Sequence, residues 1–336
     1  MPKLPIATIT ESISVKLERP KDSFVFAADL GGTHLRAALV DPEGKIHYRI
    51  KHNTPQEDTP DSIVLALVTA LHDCQAKAKS DAAGRSITAI SVVVPGTVNV
   101  EQGVVVKAPN LPSLDGFPLA NELRIQLKRP ALLENDANAA AVGEMWMGAG
   151  RGQSSIVCVT LGTGVGGGII LDSKLWRGAD GAAAEIGHMC VDPFGGVACG
   201  CGSRGCLEVY ASATAIVRMT EEGIPQHPDS TLSSKVLTSA VIFNAGMEGD
   251  ELALEAFRRM GVYLGIGIAN LINLLNPQMI VIGGGVVNGW QLFEKSMRQQ
   301  VAERAFPLLA DRVKIVRAEC GDDAGLLGAA RLVFDN

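Results

Sequence analysis

The sequence predicts an α/β protein of two lobes, each opening on a three-stranded meander, that is, a duplicated βββαβα unit. Three observations predict it. Two buried strands end in glycine turns and run on into further strands, at Asp29-Leu-Gly-Gly-Thr33 and at Leu161-Gly-Thr-Gly164. A third glycine cluster, Gly283-Gly-Gly285, follows another apolar strand, Met279–Ile282. The chain of 336 residues is longer than one hydrophobic core usually serves.

Phe24–Asp29 reads as a buried strand, His34–Val40 as a second, and Ile46–Ile50 as a third after the turn Asp41-Pro-Glu-Gly44. Residues 61–79 carry Ile63, Val64, Leu67 and Leu71 at helical spacing behind the start signal Pro60-Asp61. Ile87–Val94 is again a buried strand, and Val98–Val100 with Val104–Val106 form a hairpin around Gly103. Leu132–Asn135 is a strand entering a helix that runs to Met147. The second meander is Ile156–Leu161, Gly166–Leu171 and Lys174–Arg177. Helices are expected at Ala213–Glu222, Leu232–Ala245 and Glu251–Leu275, then a strand at Val313–Val316 and a helix at Asp323–Val333. Residues 1–23 read as a loose extension, and 224–249 as a peripheral insertion.

Composition bounds the function. Hydrophobic residues make up 47% and the formal net charge is −6, which argues against a generic nucleic-acid surface. Aromatics are only 4%, too few for a base-stacking platform. No signal peptide or membrane span is read; Met260–Pro277 comes nearest and reads as a buried helix, either core or part of a dimer interface. Of the seven cysteines, Cys74, Cys158, Cys190 and Cys320 read as reduced core residues, which fits a cytoplasmic location.

The remaining three, Cys199, Cys201 and Cys206, lie eleven residues and more beyond His188. Three thiols and an imidazole complete a tetrahedral zinc shell, closed to chemistry; for the cysteines alone a redox dithiol is the other reading. With one ring nitrogen of His188 on zinc, the other is fixed as a donor for a substrate hydroxyl. Glu185 and Glu208 flank this loop as acceptors for a polyol, or as surface charges. Asn110, between two prolines, is a further hydroxyl-binding amide or a turn residue.

The glycines at 31–32, 162, 164 and 283–285 let backbone N–H groups approach phosphate oxygens, with Thr33 and Thr163 among them; each alone is a tight turn. Together they predict a nucleotide held between two lobes. Asp29, at a strand end, is placed to orient magnesium through water. Asp136, in Asn135-Asp-Ala-Asn138, reads locally as a helix N-cap. Beside the glycine turns and the metal loop it reads instead as a general base.

These motifs resemble the ROK family of repressors, open reading frames and sugar kinases, especially its bacterial glucokinases. The resemblance runs from about Phe24 to the C-terminus. It rests on Asp29–Thr33, Glu134–Asn138, Leu161–Gly168, Glu185–His188 and Cys199–Glu208. It implies a two-lobed actin-like ATPase (ribonuclease H-like) fold with the active site in the cleft. The lobes are then 24–138 with 322–336, and 139–321 with a zinc loop at 188–206. It implies ATP with Mg²⁺ as donor, a structural Zn²⁺, and a homo-oligomer, dimer or tetramer, acting in carbohydrate phosphorylation. By position, Asp136 matches the base; Asn110, Asn135, Asp136, Glu185, His188 and Glu208 match sugar contacts; His188, Cys199, Cys201 and Cys206 match zinc ligands. Gly31, Gly32, Thr33, Gly162, Thr163, Gly164 and Gly283, Gly284, Gly285 match nucleotide turns. The implied activity is phosphorylation of the glucose 6-hydroxyl, with N-acetylmannosamine or fructose as other acceptors, polyphosphate as another donor, and a sugar-responsive repressor as the non-enzymatic rival. Ala184 departs from the pattern, standing where many members have Gly.

Overall fold

The computed structural model describes residues 23–78 and 86–335. The expected extension at 1–22 lies outside the described residues. The first unit comprises β1 (Ser23–Leu30), β2 (His34–Val40), β3 (Ile46–Asn53), α1 (Pro60–Ala78), β4 (Ser86–Val94), the hairpin β5 (Thr97–Asn99) and β6 (Val104–Lys107), α2 (Leu119–Leu127), β7 (Ala131–Asn135) and α3 (Asp136–Met147). The second comprises β8 (Ile156–Leu161), β9 (Val165–Leu171), β10 (Lys174–Leu175), α4 (Glu208–Ala211), α5 (Ala213–Gly223), α6 (Ser239–Met247), α7 (Glu251–Leu275), β11 (Met279–Gly283), α8 (Trp290–Arg304), α9 (Pro307–Ala310), β12 (Lys314–Arg317) and α10 (Ala324–Asp335).

The duplication is visible in the sheets. One is ordered β3-β2-β1-β4-β7 and the other β10-β9-β8-β11-β12. In each, the meander pairs antiparallel and the two later strands add in parallel. Both faces of both sheets are covered, so the central strands read as continuous apolar runs. In β1, Phe24 and Phe26 pack against α1 and α2, while Val25 and Ala27 pack against α10. In β8, Val157 and Val159 face the helical layer of α5, α7 and α8, while Ile156 and Cys158 face α3.

The helices α3 and α10 therefore lie between the sheets and cross each other. A Cβ on Gly328 would stand 1.7 Å from the Ala139 carbonyl oxygen, and one on Gly143 would stand 2.1 Å from that of Ala324. Glycine at these positions is what permits the close approach. Glu144 of α3 ties down the chain as it leaves β12: its carboxylate accepts the backbone N–H groups of Glu319 and Cys320 at 3.1 and 2.7 Å.

Several expectations are corrected. The third strand of the second meander stops at Leu175, and the residues after it form a loop. The helix expected at 232–245 begins instead at Ser239, where Thr238 caps it by accepting the Val241 N–H. The stretch 224–249 is not peripheral, because Leu232, Ile242 and Ala245 are buried in the core under α7. Of the two readings of the α7 segment, core packing accounts for Gly261 and Gly265, which abut the Phe293 and Met297 carbonyls of α8. Cys190 is exposed rather than core.

Candidate active site

A cleft of about 550 Å³ opens where the C-terminal ends of β7 and β8 approach each other, consistent with the rule that ligands sit at the carboxyl ends of parallel strands. Asn110, Asn135, Asp136, Glu185, His188 and Glu208 all line it. So do Gly162, Thr163, Gly164 and Gly284. A smaller cavity of about 190 Å³ adjoins it and shares Arg36, Asp136, Thr160 and Gly284; Asp29, Gly283 and Asp322 complete that side.

Gly31, Gly32, Thr33 and Gly285 do not line either cavity. The first turn is spent on itself: the Gly31 N–H donates to the His34 carbonyl at 2.9 Å, and the Thr54 hydroxyl donates to the Gly31 carbonyl at 2.6 Å. Gly32 instead backs Asn110, whose Cβ would lie 2.9 Å from a Cβ placed there. This turn thus supports the Asn110 side of the cleft.

The end of β7 settles which residue caps α3. The Asn135 Oδ1 accepts the Asn138 N–H at 2.9 Å, and its Nδ2 donates to the Gly96 carbonyl at 2.9 Å and to Asp136 Oδ1 at 3.2 Å. Both ends of the Asn135 amide are therefore engaged by protein. Asp136 is left half-buried, its Oδ1 also accepting the Ala137 N–H at 2.9 Å. Its Oδ2 has no hydrogen-bond partner among the described residues. Burial, and then the nearby Asp29 carboxylate, push the Asp136 acid up to about 6. Asp29 is also raised by burial, although Arg36 approaches it at 3.4 Å and opposes that shift.

Glu208 opens α4, and its Oε2 accepts the Val165 N–H at 3.0 Å. A Cβ on Gly164 would meet that oxygen at 2.3 Å, so glycine makes room for the carboxylate. The loop from Arg177 to Glu185 forms one wall, with Gly181 to Glu185 facing the cleft. Ala184 has φ +66° there, in the left-handed region that favours glycine. The departure at this position thus bears on the backbone as well as on the cleft wall, which Ala184 lines.

His188 turns two faces to two sites. Its Nδ1 lies 3.7 Å from Cys199 Sγ, and its Nε2 lies 3.9 Å from Glu185 Oε2 on the cleft side. Cys201 Sγ and Cys206 Sγ are 3.7 Å apart, and ligand atoms of all four residues fall within 4.8 Å of one another. A zinc–sulfur distance of about 2.3 Å sets tetrahedron edges of about 3.8 Å. The four residues fit zinc in chemistry and in spacing. Isolated backbone β-bridges pair Cys190 with Cys206 and Ala198 with Arg204 and hold the loop, and the Tyr210 hydroxyl, donating to Asp192 at 2.8 Å, braces it.

Arg36 and Arg177 escaped the sequence reading, and Glu134 was named only as part of a motif, without a role. Arg36 lies between Asp29 and Asp322, at 3.4 and 3.5 Å. Glu134, 2% exposed, accepts Arg177 at 2.7 Å.

Comparison with known proteins is consistent with this geometry. The profile described as ROK family matches residues 25–336. The chain is 39% identical over 320 residues to the glucokinase of Halalkalibacterium halodurans, covering 93% of this chain and 95% of that one. It is 30% identical to the xylose repressor of Bacillus subtilis, covering 94% of this chain and 78% of the repressor. A crystal structure of a ROK family glucokinase from Streptomyces griseus, in complex with glucose and AMPPNP, superposes with a TM-score of 0.78 at 35% identity. That superposition covers 93% of this chain and all of that one (100%).

Proposed function

This chain belongs to the ROK family, and on that premise we propose that it is a glucokinase, moving the γ-phosphoryl group of ATP to the 6-hydroxyl of glucose. One observation carries the reading: the half-buried, raised Asp136 carboxylate shares a cleft with Glu185, His188 and Glu208 on one side and with Gly162–Gly164 and Gly284 on the other. Hydroxyl-binding groups and phosphate-binding turns thus meet at one proton acceptor.

In the proposed reaction, Asp136 Oδ2 takes the proton of the 6-hydroxyl as that oxygen attacks the γ-phosphorus in line. Asn110, Glu185 and Glu208 hold the other hydroxyls, with His188 Nε2 as donor. Asn135 acts differently from a direct sugar contact: it caps α3 and orients Asp136. Backbone N–H groups of the 162–164 and 284 turns face the phosphates. Magnesium bound with ATP would neutralise phosphate charge, and the two raised carboxylates Asp29 and Asp136 are the groups suited to sit near it. Zinc on His188, Cys199, Cys201 and Cys206 would brace the loop and fix the tautomer of His188. The lobes are proposed to part at the α3 and α10 crossing, with 24–138 and 322–336 on one side and 139–321 on the other. Closing them would exclude water from the phosphate.

The test is coupled ADP release across glucose, mannose, fructose and the N-acetyl hexosamines, with ATP and polyphosphate as donors. Glucose with ATP should give the highest kcat/KM. Highest turnover on another hexose would change the substrate, and turnover on none would remove the kinase reading. Among the described residues no helix is long and apolar enough to cross a membrane.

A further inference from the structure

The wall that carries Glu185 is a loop with no regular structure from Trp176 to Glu185. It leaves the second sheet after β10, yet its contacts reach the first sheet. Arg177 Nε and Nη2 both donate to Glu134 Oε2, at 2.8 and 2.7 Å. Glu134 belongs to β7, directly before Asn135 and Asp136. Its other oxygen accepts the Asn135 N–H at 3.0 Å and Asn138 Nδ2 at 3.1 Å, so the carboxylate is fully engaged. The loop touches the first lobe again at Gly181, which has φ +91° and where a Cβ would come 2.9 Å from the Val98 carbonyl of β5. Beyond that lie three alanines, which offer little side-chain packing, and then Glu185.

We propose that the Arg177–Glu134 pair is a latch that positions Glu185 against the sugar, so that the sugar-binding wall is completed by a contact between the two lobes. Arg177 and Glu134 are positioning residues: neither lines the cleft. The charge-assisted contacts to one buried oxygen fix the start of the loop, and His188 at the metal cluster fixes its end. Without the first anchor the segment keeps its own bond from the Ala183 N–H to the Arg177 carbonyl and the packing of Ala184 on the second lobe, but of the two contacts with the first lobe described above only that of Gly181 remains. The ion pair also links the loop to the strand that presents Asp136, so the acceptor-holding carboxylate and the proton-accepting carboxylate share one support. The inference rests on the proposed kinase reading.

The test compares Arg177→Gln, Arg177→Lys and Gly181→Ala with the wild-type protein. Arg177→Gln should raise the glucose KM by about tenfold or more, leaving the ATP KM within about twofold and zinc content unchanged. Arg177→Lys, a point charge without the planar fork, should recover part of that loss. Gly181→Ala, which pushes the loop off β5 from an independent point, should show the same split. If Arg177→Gln cannot be purified folded, the other two variants carry the comparison. A lowered Tm with glucose KM unchanged would make the pair purely structural and overturn the proposal, as would equal losses for glucose and ATP. Titration calorimetry with glucose gives the same comparison without turnover. A wild-type chain that binds and phosphorylates no hexose would instead fail the kinase reading and take the latch with it. Normal wild-type activity with indifferent variants fails the latch alone.

Discussion

The Asn135 side chain accepts the Asn138 N–H at 2.9 Å and so caps the helix that Asp136 begins. Asp136, whose local sequence alone reads as a cap, is thereby released from that duty. Asp136 keeps one oxygen bonded and presents the other to the cleft.

Asp136→Asn should retain zinc and glucose binding while lowering kcat by roughly 10²–10⁴. The pH profile tests the same group. With its acid at about 6 in the free protein, kcat/KM should fall as pH drops through about 6, and this limb should vanish in the variant. Stability runs the other way. The folded value lies above the ordinary 3.8, so the stabilising contribution is full below about pH 4 and is lost as pH rises through about 6. Asp136→Asn should therefore melt higher than wild type at pH 7.5, by scanning calorimetry.

Cys206→Ser removes a buried member of the four-residue cluster. The expected result is loss of zinc by atomic absorption, a Tm lower by several degrees, and a raised glucose KM, because His188 loses its fixed orientation. A prolonged chelator treatment of the wild-type protein should reproduce all three, and added zinc should reverse them. Full activity with no bound zinc would remove the bracing role.

Ala184→Gly relieves an alanine at φ +66°. The left-handed penalty is about 1–2 kcal/mol, partly offset by the greater freedom of glycine when unfolded, which leaves a net gain of about 0.5–1 kcal/mol. Tm should rise by about 1–3 °C. A fall would mean that the alanine methyl packs in a way that outweighs its backbone.

Gly328→Ala puts a Cβ 1.7 Å from a carbonyl oxygen of the facing helix. Backbone cannot yield as a flexible side chain does, so the loss should be about 3 kcal/mol or more, read from urea unfolding. An unchanged midpoint would show that α3 and α10 separate at no cost.

The meanders were legible because strands buried on both faces read as apolar runs, and because glycine and polar residues mark their ends. Helix α2 was missed although Leu119, Ala120, Leu123 and Leu127 carry its buried stripe. Nine residues beside prolines gave too short a window for the period to stand out. At the site, motif residues could be named but not sorted. Asp136 and Asn135 are neighbours of similar chemistry, and only the direction of each side chain separates the cap from the acceptor. The first glycine turn looked like the others, yet it faces Asn110 rather than a cavity. Arg36 and Arg177 were silent, because each acquires its role from carboxylates on other elements, Asp29 and Asp322 for one and Glu134 for the other. Such pairings follow from topology, which no local spacing records.

The backbone-on-backbone meeting of Gly143 and Gly328 bears on how the molecule can move. Where two helices mesh through long side chains, tilting one over the other must unseat every tooth. Here, at these points, there are no teeth to unseat. If the lobes part at this crossing as proposed, the halves would roll on a smooth bearing while the hydrophobic layers outside it stay intact, so an open and a shut form would differ in angle without differing in core.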